Sequence, residues 1–298
     1  MKTKRFFVNI LKFFGICLAM ILSFIIASGI ANPGAATQSA SQTPEETAQA
    51  GMALIIVSIV NALLLAYPII RSRRHGWQLI GTMTLFFFGT QTFMSQIETL
   101  FFSSAFDISA DTMKNIILSG FLTALFFIPL AVLILGKTRK PKTEGNPTDS
   151  ISLPWQVWAK RLAILPLAYI ALYLIFGYFI AWQSSDVRLL YSGSTEILPF
   201  FEHMSITLQA SPEIIPFQFL RGLIWIGLAL PLLNLMKGGT FEKSITLGLL
   251  FGLLLTTQLL FPNPYMPAPV RLAHFIETST STFIYGWLIG QIFTSPKE

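Results

Sequence analysis

The sequence predicts an all-α, polytopic membrane protein, a bundle of about eight transmembrane helices with both termini in the cytoplasm. Three observations lead to that class. Of 298 residues, 53% are hydrophobic and only 11% charged, with a mean hydropathy of +0.64, whereas soluble domains carry about 25% charged residues. The apolar residues are gathered into runs close to the roughly 20 residues that a helix needs to cross a bilayer. The basic residues alternate between the ends of those runs in the manner that fixes membrane orientation. The formal charge of +6 therefore does not argue for a nucleic-acid partner.

Eight segments qualify as spans: 10–31, 51–70, 78–103, 115–136, 162–182, 216–236, 244–261 and 271–292. The first follows MKTKR and ends near Gly29-Ile30-Ala31, which is also the layout of a cleaved signal peptide. Its apolar run from Phe13 to Ala31 exceeds a usual signal core, so a retained helix is expected; cleavage would leave seven spans. Cys17, the one cysteine, excludes an intrachain disulfide and a cysteine-based metal site. The third segment is polar in its second half, and the seventh is short but contains GLLFGLLL.

Between the spans, Lys2, Lys4, Arg5 and Lys12 mark one side at the N-terminus. Arg71, Arg73 and Arg74 follow span two, a cluster from Lys137 to Arg161 follows span four, and Lys237 and Lys243 follow span six. The opposite loops hold Lys114 and Arg188, with Arg271 at the mouth of span eight, and most of the acidic residues. The basic side is cytoplasmic by the positive-inside rule, and the expected location is the plasma membrane. Residues 32–50, NPGAATQSASQTPEETAQA, read as a mobile outer loop. The longest outer connection, 183–215, contains ILPFFEHM, an apolar patch with Glu202 and His203 suited to lying along the membrane surface. PNPYMPAP, 262–269, reads as a stiff lead into span eight.

The hydrophilic stretch KTRKPKTEGNPTDS divides the spans into a first half, 1–136, and a second half, 162–298, joined by a cytoplasmic linker, 137–161. The halves have the same orientation and fit a parallel repeat. At one ungapped offset Leu65, Ala66 and Pro68 match Leu228, Ala229 and Pro231, Gly76 matches Gly239, and Phe88-Gly89 matches Phe251-Gly252. Chance matching among apolar residues is the alternative. Glu98 falls opposite Phe261, so the polar residues are not duplicated.

Charges in a bilayer are costly unless paired or hydrated, so each one in a span requires a reason. The orientation puts Glu98 on span three, Arg221 on span six and Arg271, His274 and Glu277 on span eight at a similar depth, in the outer half. Thr256, Thr257 and Gln258 on span seven reach the same level. On a straight helix of about 100° per residue, Thr84, Gln91, Ser95 and Glu98 fall within a sector of about 60°. Arg271, His274, Glu277, Thr278, Ser281 and Tyr285 cover about a third of the circumference of span eight. The candidate substrate or ion site is thus Glu98, Arg221, Arg271, His274, Glu277, Gln91 and Ser281. The structural alternative is that Glu98 and Glu277 pair with Arg221 and Arg271 and lock the helices.

His274 and Glu277, with Glu98 and His203, are the residues a metal site would draw on, but H-E-x-x-H is absent and no metal or cofactor is expected. Walker A, G-x-S-x-G and c-type haem motifs are absent as well. Eight-span prenyl-endopeptidase-like membrane proteases need a paired glutamate motif within the membrane. The pair here, Glu45-Glu46, lies in a loop. The expected function is a transporter or carrier of a small anionic or amphiphilic substrate, with the arginines holding the anion and Glu98, His274 and Glu277 exchanging protons. The alternatives are an intramembrane enzyme acting on a lipid or lipid-linked substrate, with His274 as base, and a non-catalytic scaffold subunit docking a partner through 183–215. Expected partners are membrane lipids and a small or lipid-like ligand.

Overall fold

In lipid a backbone must satisfy its own N–H and C=O groups, and a helix does so within one segment. A computed structural model describes residues 2–33, 43–102, 108–139, 154–263 and 265–295, with side chains from Phe7 onward. Among the described residues there is no strand, and the one sheet-like feature is an isolated antiparallel bridge between Ser72 and Met236. The helices are α1 Lys2–Ala31, α2 Pro44–Ile70, α3 Gly76–Phe88, α4 Met94–Phe101 and α5 Ala110–Ile134. They continue as α6 Trp155–Phe179, α7 Ser185–Ser192, α8 Phe200–Ala210, α9 Ile214–Leu235, α10 Thr240–Thr256 and α11 Ala268–Thr294.

Six stretches are long and apolar enough to cross a membrane: Phe7–Ala31, Pro44–Ile70, Ala110–Ile134, Trp155–Gln183, Ile214–Leu235 and Thr240–Leu260. The protein is a helical membrane protein. Span three falls short because it is broken into α3 and α4. Span eight, α11, is long enough at 27 residues, but its charged and hydroxyl side chains dilute its hydropathy.

Several boundaries differ from expectation for local reasons. The helix expected from residue 51 begins at Pro44, because Thr43 and Glu46 form a reciprocal capping box. The segment expected to start at 162 begins at Trp155. Residues 34–42 of the expected mobile loop, 140–153 of the central linker and Pro264 of the proline run lie outside the described residues. The described part of that run turns on Asn263, whose side chain accepts hydrogen bonds from the N–H groups of Tyr265 (2.9 Å) and Met266 (3.0 Å). The connection 183–215 is largely ordered into α7 and α8.

The chain divides into two compact units. The first is Met1–Asp149 with Leu235–Gly238 and Leu260–Pro262; the second is Ser150–Asn234 with Gly239–Leu259 and Asn263–Glu298. Within the first, α1 packs chiefly on α5 and also on α2, and α3 packs on α5. Gly15 of α1 sits against Ile134, and the hydroxyls of Ser28 and Ser119 meet at 3.1 Å. Between α3 and α4, Gly89–Phe93 form a π turn, with the Met94 N–H donating to the Gly89 carbonyl. One residue is thereby inserted into the α-helical register. The insertion turns everything beyond it by about 100° relative to a straight helix. Thr84 and Glu98 therefore do not share the common face that straight-helix geometry assigns them. Gly120 of α5 makes room for the π turn, since a Cβ there would overlap the Thr92 side chain.

The second unit is built around α10 and α11, its most intimate helix pair. Gly248 on α10 meets Gly286 on α11, while Gly252 of α10 faces Ser279 and Phe283 and Gly290 of α11 faces Ser244. A Cβ on Gly252 would lie 2.7 Å from the Ser279 carbonyl oxygen, and one on Gly290 2.5 Å from Ser244 Cα. Each helix thus offers a Gly-x-x-x-Gly face, and the two backbones touch as small residues allow. Thr282 Oγ1 lies 2.6 Å from the Thr278 carbonyl oxygen of its own helix and 3.2 Å from that of Phe251 across the seam. Helix α9 joins through Trp225 against Phe251 (ring centroids 4.2 Å apart) and Gly222, where a Cβ would approach Pro166 of α6 to 2.9 Å.

Candidate functional site

The predicted site residues divide between the units. Gln91 and Glu98 belong to the first, and Arg221, Arg271, His274, Glu277 and Ser281 to the second. Gln91 lies inside the π turn and is buried at 5% exposure, together with Thr90 and Thr92. Glu98, on α4 beyond the turn, is partly exposed. The hydroxyls of Thr84, Thr90 and Thr92 meet no hydrogen-bond partner among the described residues. The third segment is therefore polar and buried at the turn itself rather than along one continuous stripe.

On α11 the structure does bring predicted residues together. His274 Nδ1 lies 3.6 Å from Glu277 Oε2, long for a hydrogen bond but within ion-pair range when the imidazole is protonated. Thr278 donates to the same carboxylate oxygen at 2.7 Å. On its other side, His274 Nε2 meets the Tyr191 hydroxyl at 3.2 Å. The result is a Tyr191–His274–Glu277 chain at a half-buried histidine. Tyr191 comes from α7, in the connection 183–215. Its role was not visible in the sequence, because a loop tyrosine carries no sign of which helix it folds back upon. Ser281, one turn further along α11, is buried and bonds within its own helix to the Thr278 carbonyl (3.3 Å).

Among the described residues Arg271 meets backbone carbonyls rather than a carboxylate. Its Nε donates to the Leu259 carbonyl (3.2 Å) and its Nη1 to the Met266 carbonyl (2.8 Å). It fastens the end of the preceding helix and the turn around Asn263 to the start of α11, a positional task. Thr256 and Thr257 likewise bond to carbonyls of their own helix, Gly252 (2.6 Å) and Leu254 (3.2 Å).

Arg221 is different. It is 2% exposed, yet it sits in a helix apolar enough to span a membrane. Its Nη1 donates to Gln218 Oε1 at 3.0 Å, and its guanidinium lies over the rings of Phe217 (5.7 Å) and Tyr169 (5.8 Å), within cation–π range. Tyr169 in turn packs on Tyr285, whose hydroxyl donates to the Gly222 carbonyl at 3.0 Å. On the same face of α9, Gln218 and Trp225 are both 0% exposed. Gln218 Nε2 and Trp225 Nε1 meet no acceptor among the described residues. Gln218 and Trp225 were missed in the sequence; their spacing of three and four residues about Arg221 was the available signal.

His203 stacks on Trp182 (4.5 Å between ring centroids) and Tyr178 (5.5 Å) on the α8 side of the connection. Burial there holds its imidazole below the usual histidine range. Among the described residues no three histidine, cysteine, aspartate or glutamate side chains converge as a metal site would need. Compared with protein families, with characterised proteins and with solved structures, the chain shows no significant match in any of the three.

Proposed function

We propose that the protein is a multi-pass transporter or carrier, of the plasma membrane, for a small anionic or amphiphilic substrate held in the second unit. The supporting observation is the donor-rich face of α9. A buried arginine there is flanked by a carboxamide N–H and an indole N–H that both meet no acceptor among the described residues. Each such orphan donor costs about 1–3 kcal/mol. A carboxylate, a phosphate or another acceptor-rich group entering beside Arg221 removes that cost. The Tyr191–His274–Glu277 chain supplies a route for proton exchange, since phenol, imidazole and carboxylate lie in sequence along it. Arg271 takes no part in holding the substrate in this reading, and Gln91 and Glu98 are left to the first unit.

The same reading takes α3, the π turn and α4 as one crossing and α11 as another, for eight in all. At 1.5 Å per residue the 27 residues of α11 reach about 40 Å, against roughly 30 Å of hydrocarbon. The loop charges then put both termini in the cytoplasm. An intramembrane enzyme is the second reading. The observation favouring it is a histidine held between a carboxylate and a phenol, an arrangement that orients a general base.

Reconstitution distinguishes them. Liposomes containing the purified protein and a pH-sensitive dye are challenged with a panel of carboxylates and organic phosphates. Transport gives proton movement dependent on one of them, lost in Arg221→Gln and in Glu277→Gln while detergent melting temperatures stay within a few degrees. Turnover of a lipid in micelles, lost in His274→Ala, selects the enzyme instead. Both variants melting far below the parent, with no ligand restoring them, would reduce the polar residues to helix locks.

A further inference from the structure

At the far end of the second unit from the α11 histidine, a groove of about 470 Å³ opens between the first turns of α6 and the last turn of α11. It is lined by Gln156, Lys160 and Arg161 on its polar side and by Ile164, Leu165 and Ile292 on its apolar side. Two adjacent cations face it, and among the described residues no carboxylate lines it. Arg161 is held in place, with its guanidinium 5.4 Å above the Phe293 ring, and Trp158 packs on the same ring at 5.2 Å. Trp155, 75% exposed, stands beside the groove at the start of α6. Tryptophans and basic side chains at the end of an apolar helix mark the level of lipid headgroups. The start of α6 and the end of α11 meet there, so the groove opens at one membrane boundary.

We propose that this groove is a docking site for the phosphate headgroup of an anionic phospholipid. Arg161 presents a planar fork that matches phosphate oxygens, Lys160 adds a mobile point charge, and Gln156 adds an amide donor. Ile164, Leu165 and Ile292 receive the first methylenes of the acyl chains, which a free inorganic anion lacks. A lysine or arginine that merely snorkels needs neither a groove nor an aromatic ring to hold it. Charge complementarity thus selects a phospholipid with a net negative headgroup over a zwitterionic one. The site depends neither on what the protein transports nor on the α9 donors.

The test is native mass spectrometry of the full-length protein released from mixed micelles with equimolar phosphatidylglycerol and phosphatidylcholine. The parent is expected to retain phosphatidylglycerol with roughly 10- to 30-fold preference, the size that two surface cations confer. In Lys160→Gln/Arg161→Gln the preference falls to near parity, while a charge-matched control, Arg73→Gln/Arg74→Gln, keeps it. Arg161→Lys retains a partial preference, which separates lost charge from lost folding. Three results would each overturn the proposal: equal retention of both lipids by the parent, a preference surviving in the double variant, or displacement of the lipid by millimolar inorganic phosphate. The last would assign the groove to a free anion.

Discussion

Phe88-Gly89 and Phe251-Gly252 hold matching places in the two halves of the sequence, each after a glycine (Gly76 or Gly239) at the start of a helix. They fold differently. Gly89 opens a π turn that breaks its helix in two, whereas Gly252 lies in unbroken α10 and brings its backbone against Ser279 of α11. In the second unit both helices carry paired glycines, so backbone meets backbone. In the first unit the small residue is Gly120 on α5, and a side chain, Thr92, fills the space it leaves. What a glycine does in a membrane helix is therefore decided by what the neighbouring helix offers.

The largest expected effect tests the backbone contact. Gly290→Leu or Gly252→Leu should leave no monodisperse folded protein in detergent, and even Gly290→Ala should cost about 1–3 kcal/mol, because the obstructing atoms are backbone and cannot rotate away. A melting temperature unchanged in Gly290→Ala would mean that the seam is looser than described. Next, Gly120→Ala should also destabilise by about 1–3 kcal/mol, but here the obstacle is a side chain. Adding Thr92→Ala should recover much of the loss, giving a coupling energy of about 1 kcal/mol or more in a double-mutant cycle. No recovery would show that the two positions do not meet.

A smaller contrast concerns hydroxyls. Thr282→Val in the second unit removes a hydroxyl shared between Thr278 of its own helix and Phe251 across the seam and should cost about 1 kcal/mol, while Thr92→Val in the first removes one with no partner among the described residues and should be neutral or stabilising. A loss in Thr92→Val as large as that in Thr282→Val would place a bound water or ion at the π turn. The smallest effect is a pH dependence at His203 of the second unit. Burial holds His203 below its ordinary value, so protonation favours the unfolded chain. Stability is complete above about pH 6.5, the unfolded histidine value, and declines as pH falls through the lower folded value. The acid-side fall in melting temperature should shrink in His203→Phe.

The class of the protein was legible because bilayer crossing imposes length and composition directly on the sequence. The polar face of α11 was legible too, since an unbroken helix keeps its period from Arg271 to Tyr285. The face of the third segment was not, because inserting one residue at Gly89–Phe93 leaves no mark in composition and shifts every later side chain. The partners of Arg271 were not legible, because carbonyls such as those of Leu259 and Met266 occur at every residue and carry no sequence signal. The glycines of GLLFG and GWLIG were visible, but a pairing between two helices is a tertiary fact, and only their contact gives the spacing meaning.

The glycine seam also bears on how the chain enters a bilayer. Helix α11 carries charged and hydroxyl residues that oppose its partition into lipid on its own, whereas α10 is apolar enough to enter first. A helix in that position is recruited by its predecessor: the close backbone contact and the Thr282 bond form only once α10 is in place. The contact with α10 thus supplies α11 with a packing surface that its own apolar residues do not provide.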